Sequence, residues 1–237
     1  MRTDYGELPL RGADAGEDPM ALFASWFDAA REDDAVIEPN AMALATSGKL
    51  APSVRMVLLK AFDPATASFT WFTNLESRKA REIASGAHAA LCWWWPGAGS
   101  HQVRAVGRTE PVDRASAQAY FASREPAARI GASSSRQSRP VATREEFDGR
   151  VAAVGPAPTA IPSNWGGITL VADELEFWQG RAGRLHDRIT FLRLDSDGAI
   201  SSTDGFEAAG GESALRDAAV PITDPYGTRW LRARLEP

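Results

Sequence analysis

From Pro19 the apolar positions Leu22, Phe23, Trp26, Phe27 and Ala30 recur at three- and four-residue intervals, the period of a helix with one face against a core. This spacing predicts an amphipathic helix ending near Arg31. The period then shortens. Residues 41–46, 54–62, 69–73, 89–95 and 102–110 are short runs rich in β-branched, aromatic or other apolar side chains, divided by Gly, Pro, Asn and Asp, and they read as strands. Helical stretches interrupt them at 77–85, stopped by Gly86, at 113–124, opened by an Asp cap, and at 144–154, stopped by Gly155. Strands resume at 168–171, 175–178 and 184–194, and a last one spans 229–235. Residues 195–228, rich in Gly, Ser, Asp and Ala, show no period and predict a long surface excursion with one helical turn near 214–218. Residues 1–18 are polar and Gly-rich and predict a mobile arm, leaving 19–237 as one domain. Strands this closely spaced argue for a β-dominated α+β fold built on an antiparallel barrel or sandwich. Trp93, Trp94 and Trp95 alternate along one strand, so the run fills core on one side and an interface on the other.

Composition narrows the function classes. With 44% apolar residues in 237, the chain buries a substantial core, and 26 Lys+Arg against 31 Asp+Glu leave a net charge of -5. Nothing in that balance draws the molecule to nucleic acid or to an anionic membrane, so any basic site must be local. No run approaches a membrane span, and the N-terminus lacks the apolar core of a secretory signal. The lone Cys92 excludes an internal disulfide, and His88, His101 and His186 lack metal-ligand spacing, so no metal is expected and a cytoplasmic location is.

Local basic sites do occur. A helix beginning near Glu76 places Arg78 and Lys79 in its first turn, where the positive end of the dipole disfavours cations by roughly 0.3–1 kcal/mol. A phosphate at that terminus resolves the conflict; side chains turned into water are the alternative. Tyr120 and Arg124, four apart on a helix, share a face on which a phenol and a guanidinium can hold a second phosphate, or simply pack beside each other at the surface. Arg55 and Lys60 fall on opposite faces of an ideal strand and serve one site only through a bulge, a strand end or a second subunit. Along the strand expected at 184–194, Arg184, His186 and Arg188 alternate at roughly 7 Å spacing into a cationic ladder beside Trp178. That ladder suits a planar anion, the alternative being a solvated edge strand.

In this order, RMVLLK at 55–60, FTNLESRK at 72–79, Gln102-Val103, YFASR at 120–124, RQS at 136–138, WGG at 165–167, EFWQG at 176–180, RLHDR at 184–188 and the closing RLEP resemble the pyridoxine/pyridoxamine 5′-phosphate oxidase family. The likeness spans nearly the whole chain except about 195–228. It implies a split β-barrel of the FMN-binding type that holds FMN at a homodimer interface. It also implies a flavin site drawn from Arg55, Lys60, Phe72, Thr73, Arg78, Lys79, Gln102, Gln137, Ser138, Trp178 and Arg188. Lys60, Tyr120 and Arg124 would hold the substrate phosphate, with Arg184 and His186 at the pyridine end, and Arg2 and Tyr5 match arm residues that close over the substrate. The implied reaction is oxidation of pyridoxine or pyridoxamine 5′-phosphate to pyridoxal 5′-phosphate, with O₂ as acceptor and H₂O₂ as product, a step of vitamin B6 metabolism. Two positions depart from the resembled pattern: Ala128 stands where a phosphate-contacting Ser is usual, and His101 where Arg is usual. Both bear on the substrate, and leave as alternatives a related flavin oxidase of another small molecule, of the phenazine-precursor type, or a non-catalytic flavin or vitamer carrier.

Overall fold

Helix α1 (Pro19–Glu32) forms as its apolar period predicts, with Asp18 accepting from the Met20 and Ala21 N–H groups and Pro19 in the first turn. Its buried face carries Met20, Phe23, Trp26 and Ala30. Phe23 sits at the centre of the core, edge-on to Phe62, Phe69 and Trp93 at centroid distances of 5.1, 4.9 and 5.1 Å. The computed structural model describes residues 9–48, 51–86, 88–97, 99–201 and 219–237.

The strands are β1 (Ala41–Ser47), β2 (Pro52–Leu58), β3 (Ala61–Asp63), β4 (Ser68–Asn74), β5 (His88–Trp95), β6 (His101–Pro111), β7 (Trp165–Gln179), β8 (Asp187–Arg193), β9 (Val220–Thr223) and β10 (Arg229–Leu235). Between them lie α2 (Arg78–Gly86), α3 (Arg114–Ser123), α4 (Pro126–Ser134) and α5 (Arg144–Ala153). Every strand pairing is antiparallel, in the order β2-β1-β5-β6-β7-β8-β10-β9, with β4 branching from β7 and pairing β3. The split originates in β7. Its first half, to Val171, pairs with β4, whereas Glu174 to Gln179 pair with β8, so one strand changes neighbours midway while β6 stays on its other side. The register with β6 shifts at the same level, between Val106 and Gly107. A Cβ on Gly107 would lie 1.9 Å from the Val171 carbonyl oxygen, so this crossing admits only glycine.

Several expected boundaries are corrected. The strand expected at 54–62 is two, β2 and β3, because Leu59 and Lys60 leave the β1 ladder and the Lys60 N–H donates to the Thr70 carbonyl at 2.9 Å. The strands at 168–171 and 175–178 are one, since Asp173 lies in a continuous extended backbone. Residues 184–186 are not strand: Gly183 and Arg184 take φ values of 68° and 64° in a short 3-10 turn, and β8 begins only at Asp187. Helix α4 was not anticipated, and α2 begins at Arg78 rather than near Glu76, with Ser77 Oγ accepting from the Ala80 N–H. Within the expected excursion β9 adds to the sheet edge beside β10, while the turn expected at 214–218 lies outside the described residues, as do Arg2 and Tyr5. Of the segment read as an arm, Leu10 is buried, its N–H donating to Asp187 Oδ2 at 3.1 Å. Trp93 and Trp95 are buried and Trp94 is 45% exposed, the two-sided run expected of a strand.

Candidate active site

The sequence-predicted residues fall into two groups. The first surrounds a cavity of about 800 Å³ between β2, β4, α2, α3 and α4, whose walls include Lys60, Phe72, Thr73, Lys79, Tyr120 and Arg124. Gln137 joins the same wall: its Oε1 accepts from Lys79 Nζ at 2.6 Å and from Thr73 Oγ1 at 3.3 Å. Ser138 completes the link, its Oγ accepting from the Arg78 N–H at 3.1 Å from a backbone with φ of 71°, a conformation that costs a non-glycine residue about 1 kcal/mol or more. The RQS run, a bare polar loop by composition, is therefore the floor of the α2 N-terminus.

Lys79 is buried and pairs with no carboxylate among the described residues; burial, then the charge of Arg55, pushes its pKa down to about 8. Arg55 and Arg78 converge on Glu82, one turn further along α2. Arg78 Nε donates to Glu82 Oε1 at 2.7 Å, while Thr46, Ser53 and Arg55 donate to Oε2 at 2.6, 2.6 and 3.2 Å. These donors hold the carboxylate down to about 2, the Ser53 hydroxyl contributing most. Arg55 also donates to the Leu44 carbonyl and Thr46, so it stands behind the cavity wall rather than in it. Lys60 lines the cavity from the link that follows β2, whereas Arg55, within β2, does not. Glu82 was not singled out in the sequence; its i+4 spacing from Arg78 was the available signal.

Tyr120, near the end of α3, and Arg124, its extended C-cap, both line the cavity, and both are half-buried. Tyr120 stacks on Phe72 at 4.0 Å and Phe72 on Trp165 at 5.3 Å, with interplanar angles of 19° and 10°. A Cβ on Gly167 would lie 2.8 Å from Phe72 Cε1, which explains a glycine where β7 passes this stack. Ala128, on α4, also lines the cavity and presents a methyl group where a hydroxyl would reach in.

The second group is a row across the sheet. Trp94 pairs with Gln102, Gln102 with Trp178, and Trp178 with Arg188, so four strands present these side chains on one face. Trp178 lies 5.8 Å from Trp94 and 4.5 Å from the His186 ring. Glu176 holds Arg188 in a two-point pair, Nε to Oε1 at 3.2 Å and Nη2 to Oε2 at 2.9 Å, which fixes the guanidinium plane. His186 Nδ1 accepts the Arg181 N–H at 3.1 Å, which places the neutral ring's proton on Nε2; burial and then Arg184 lower its pKa. The ladder is thus replaced: Arg188 is on the strand, while Arg184 and His186 hang from the turn before it. His101 turns away from this row and stacks, half-buried, on Trp26 at 3.7 Å, burial lowering its pKa to about 4, so this departure from the resembled pattern packs against α1.

Residues 30–156 match the model of the pyridoxamine 5′-phosphate oxidase family, and residues 165–237 match the pyridoxine 5′-phosphate oxidase C-terminal dimerisation region. The chain belongs to the pyridoxamine 5′-phosphate oxidase family. Relatives named pyridoxine/pyridoxamine 5′-phosphate oxidase include those of Janthinobacterium sp. (strain Marseille), 45% identical over 84% of this chain and 93% of that one, and of Myxococcus xanthus (strain DK1622), 46% identical over 82% and 95%. Among solved structures, PhzG from Burkholderia lata 383, in complex with tetrahydrophenazine-1-carboxylic acid, matches with a TM-score of 0.74 at 22% identity, covering 99% of this chain and all of that one, a likeness of fold. Both oxidase-family segments carry a half of the candidate site: the cavity group lies within 30–156 apart from Trp165, and Trp178, His186 and Arg188 lie in the dimerisation region. No described helix is long and apolar enough to cross a membrane.

Proposed function

We propose that this chain is an FMN-dependent oxidase that converts pyridoxine or pyridoxamine 5′-phosphate to pyridoxal 5′-phosphate with O₂ as acceptor and H₂O₂ as product, working as a cytoplasmic homodimer. The observation that carries the reading is Arg124, whose Nη1 is buried without a hydrogen-bond partner beside Lys60 and Tyr120 in the cavity. A buried guanidinium donor is left unpaired at a cost of roughly 1–3 kcal/mol unless a ligand supplies the acceptor. A phosphomonoester supplies three.

The donor set also fits FMN. Lys79, Thr73, Gln137 and the Arg78 side of α2 would hold its phosphate and polar edge, and Phe72 offers an aromatic plane. Gln102, Trp178 and Arg188 would meet it from a second subunit, since none of them lines the cavity of their own chain. The face that bears them also carries Val54, Met56 and Leu58, 69%, 65% and 37% exposed on the edge strand β2, an apolar strip suited to a second copy. FMN, when bound, supplies hydride acceptance from the substrate carbon and reoxidation by O₂. This chain's residues do the remainder: Lys60, Tyr120 and Arg124 anchor the phosphate, Arg184 and His186 meet the pyridine end, and His186 offers Nε2–H as a neutral donor at pH 7.

The test is steady-state peroxide release by the purified protein with pyridoxine 5′-phosphate, beside unphosphorylated pyridoxine and a phenazine precursor, together with its absorption spectrum and sedimentation. A yellow dimer that prefers the phosphorylated vitamer is expected. Preference for the tricyclic compound would replace the reading by a phenazine-type oxidase, and flavin binding without turnover by a carrier.

Ala128 permits a gain-of-function test. A hydroxyl donating to a charged phosphate is worth roughly 1.5–3 kcal/mol, so Ala128→Ser is expected to lower the KM for pyridoxine 5′-phosphate about tenfold or more and to leave FMN affinity unchanged. An unchanged or raised KM would show that position 128 is not a missing phosphate contact.

A further inference from the structure

Arg124 is held in an unusual way. Among the described residues no carboxylate pairs with its side chain, and burial lowers its pKa. Its guanidinium carbon instead lies 4.9 Å from the Trp165 ring centroid, with the Phe121 ring 6.0 Å away. Such a seat stabilises the cation through the ring quadrupole while using none of its N–H groups. A carboxylate partner would do the opposite, occupying the same donors a ligand needs.

Trp165 is itself fixed with care. It is buried, forms the last plate of the Tyr120–Phe72–Trp165 stack, and packs edge-on against Phe121 at 5.2 Å. Its carbonyl accepts Arg114 Nη1 at 2.9 Å, and the same guanidinium donates through Nη2 to the Ile161 and Pro162 carbonyls at 2.8 and 3.0 Å. Gln118, one turn along α3, closes the clamp by donating to the Thr159 carbonyl and accepting the Ile161 N–H, both at 2.8 Å. The outer residues of α3 thus tie down the loop that delivers Trp165, and Trp165 seats the Arg that caps the same helix.

We propose that Trp165 is a positioning residue for the substrate's phosphate: it replaces a counter-ion under Arg124, keeping the guanidinium oriented and its donors uncommitted, and the Arg114 clamp maintains that seat. The inference rests on the reading of the substrate as a phosphomonoester. It assigns the discrimination between phosphorylated and unphosphorylated vitamers partly to a ring that need touch neither.

The experiment compares wild type, Trp165→Phe, Trp165→Leu and Arg114→Ala as flavin-loaded enzymes. It reads kcat/KM for pyridoxine 5′-phosphate against pyridoxine, and the inhibition constant of inorganic phosphate. Trp165→Leu is expected to reduce the phosphorylated-to-unphosphorylated ratio, and to raise the phosphate inhibition constant, roughly 3- to 30-fold, the range of a partly to fully desolvated cation–π contact. Trp165→Phe, which retains a weaker ring, and Arg114→Ala are expected to lie between it and wild type, with the loss in KM rather than kcat. A ratio and a phosphate constant unchanged in Trp165→Leu would overturn the proposal, as would an equal loss on both substrates, the mark of a merely structural residue. If Trp165→Leu does not fold, unchanged values in both other variants overturn it equally. A wild-type enzyme with no preference for the phosphorylated vitamer would instead refute the substrate reading, whatever the variants do.

Discussion

Replacing Arg124 by alanine is expected to raise the KM for pyridoxine 5′-phosphate by roughly two to three orders of magnitude. A two-point guanidinium–phosphate contact contributes about 3–4 kcal/mol, two charge-assisted hydrogen bonds toward the lower end of about 1.5–3 kcal/mol each, and Nη1 of Arg124 is buried with no protein partner to compete for it. The same substitution is expected to leave the melting temperature unchanged or higher, which separates it from ordinary damage. In the ligand-free protein Arg124 is a liability: Nη1 is buried and unpaired, and among the described residues no ion pair is lost with it. Michaelis kinetics beside a thermal melt make the check. A KM within about fivefold of wild type, or a melting point lowered along with activity, would mean that the cation serves the fold and not the substrate.

Lys79→Met is expected to weaken FMN binding roughly 10- to 100-fold, the loss of one charge-assisted hydrogen bond at a site where the amine is already desolvated. The pH dependence has a definite sign. Burial and Arg55 depress the Lys79 pKa to about 8, so the free protein begins to lose this charge just above neutrality. A bound phosphate favours the ammonium form and raises that pKa, so binding takes up a proton, and affinity falls as pH rises through 8. Quenching of flavin fluorescence, titrated between pH 6.5 and 9.5, is expected to show this decline in wild type and not in Lys79→Met. Parallel curves for the two proteins would remove Lys79 from the phosphate site.

Much of this was legible in the sequence, and the failures have physical reasons. The α1 period and the span of β10 read correctly, because a face against the core imposes the helical or two-residue period directly. Tyr120 and Arg124 were placed together because a helix makes i and i+4 neighbours whatever surrounds it. The ladder at 184–188 failed because the strand was taken to begin at Arg184, whose left-handed backbone still belongs to the turn opened by Gly183. Residues 172–174 were left as a gap between two strands, yet they lie within β7 at the level where that strand trades β4 for β8, a tertiary event that leaves no periodic trace. Glu82, Trp165 and Glu176 act by holding a cation, and local spacing does not announce which cation a distant side chain will hold. Trp165 carried a signal in its WGG run, whose second glycine is hemmed in by the Val112 side chain and the Phe72 ring.

The partner change within β7 has a genetic corollary. Trp165 at one end of this strand belongs to the cavity, and Trp178 at the other belongs to the row that leaves its own chain's cavity untouched. In the proposed dimer each polypeptide therefore donates unlike halves to two separate centres. Lesions in opposite halves, carried on different alleles, would segregate on mixing: one centre of the hybrid collects both defects and the other collects none. Two inactive gene copies would thus restore partial activity together, whereas two alleles damaged in the same half would not.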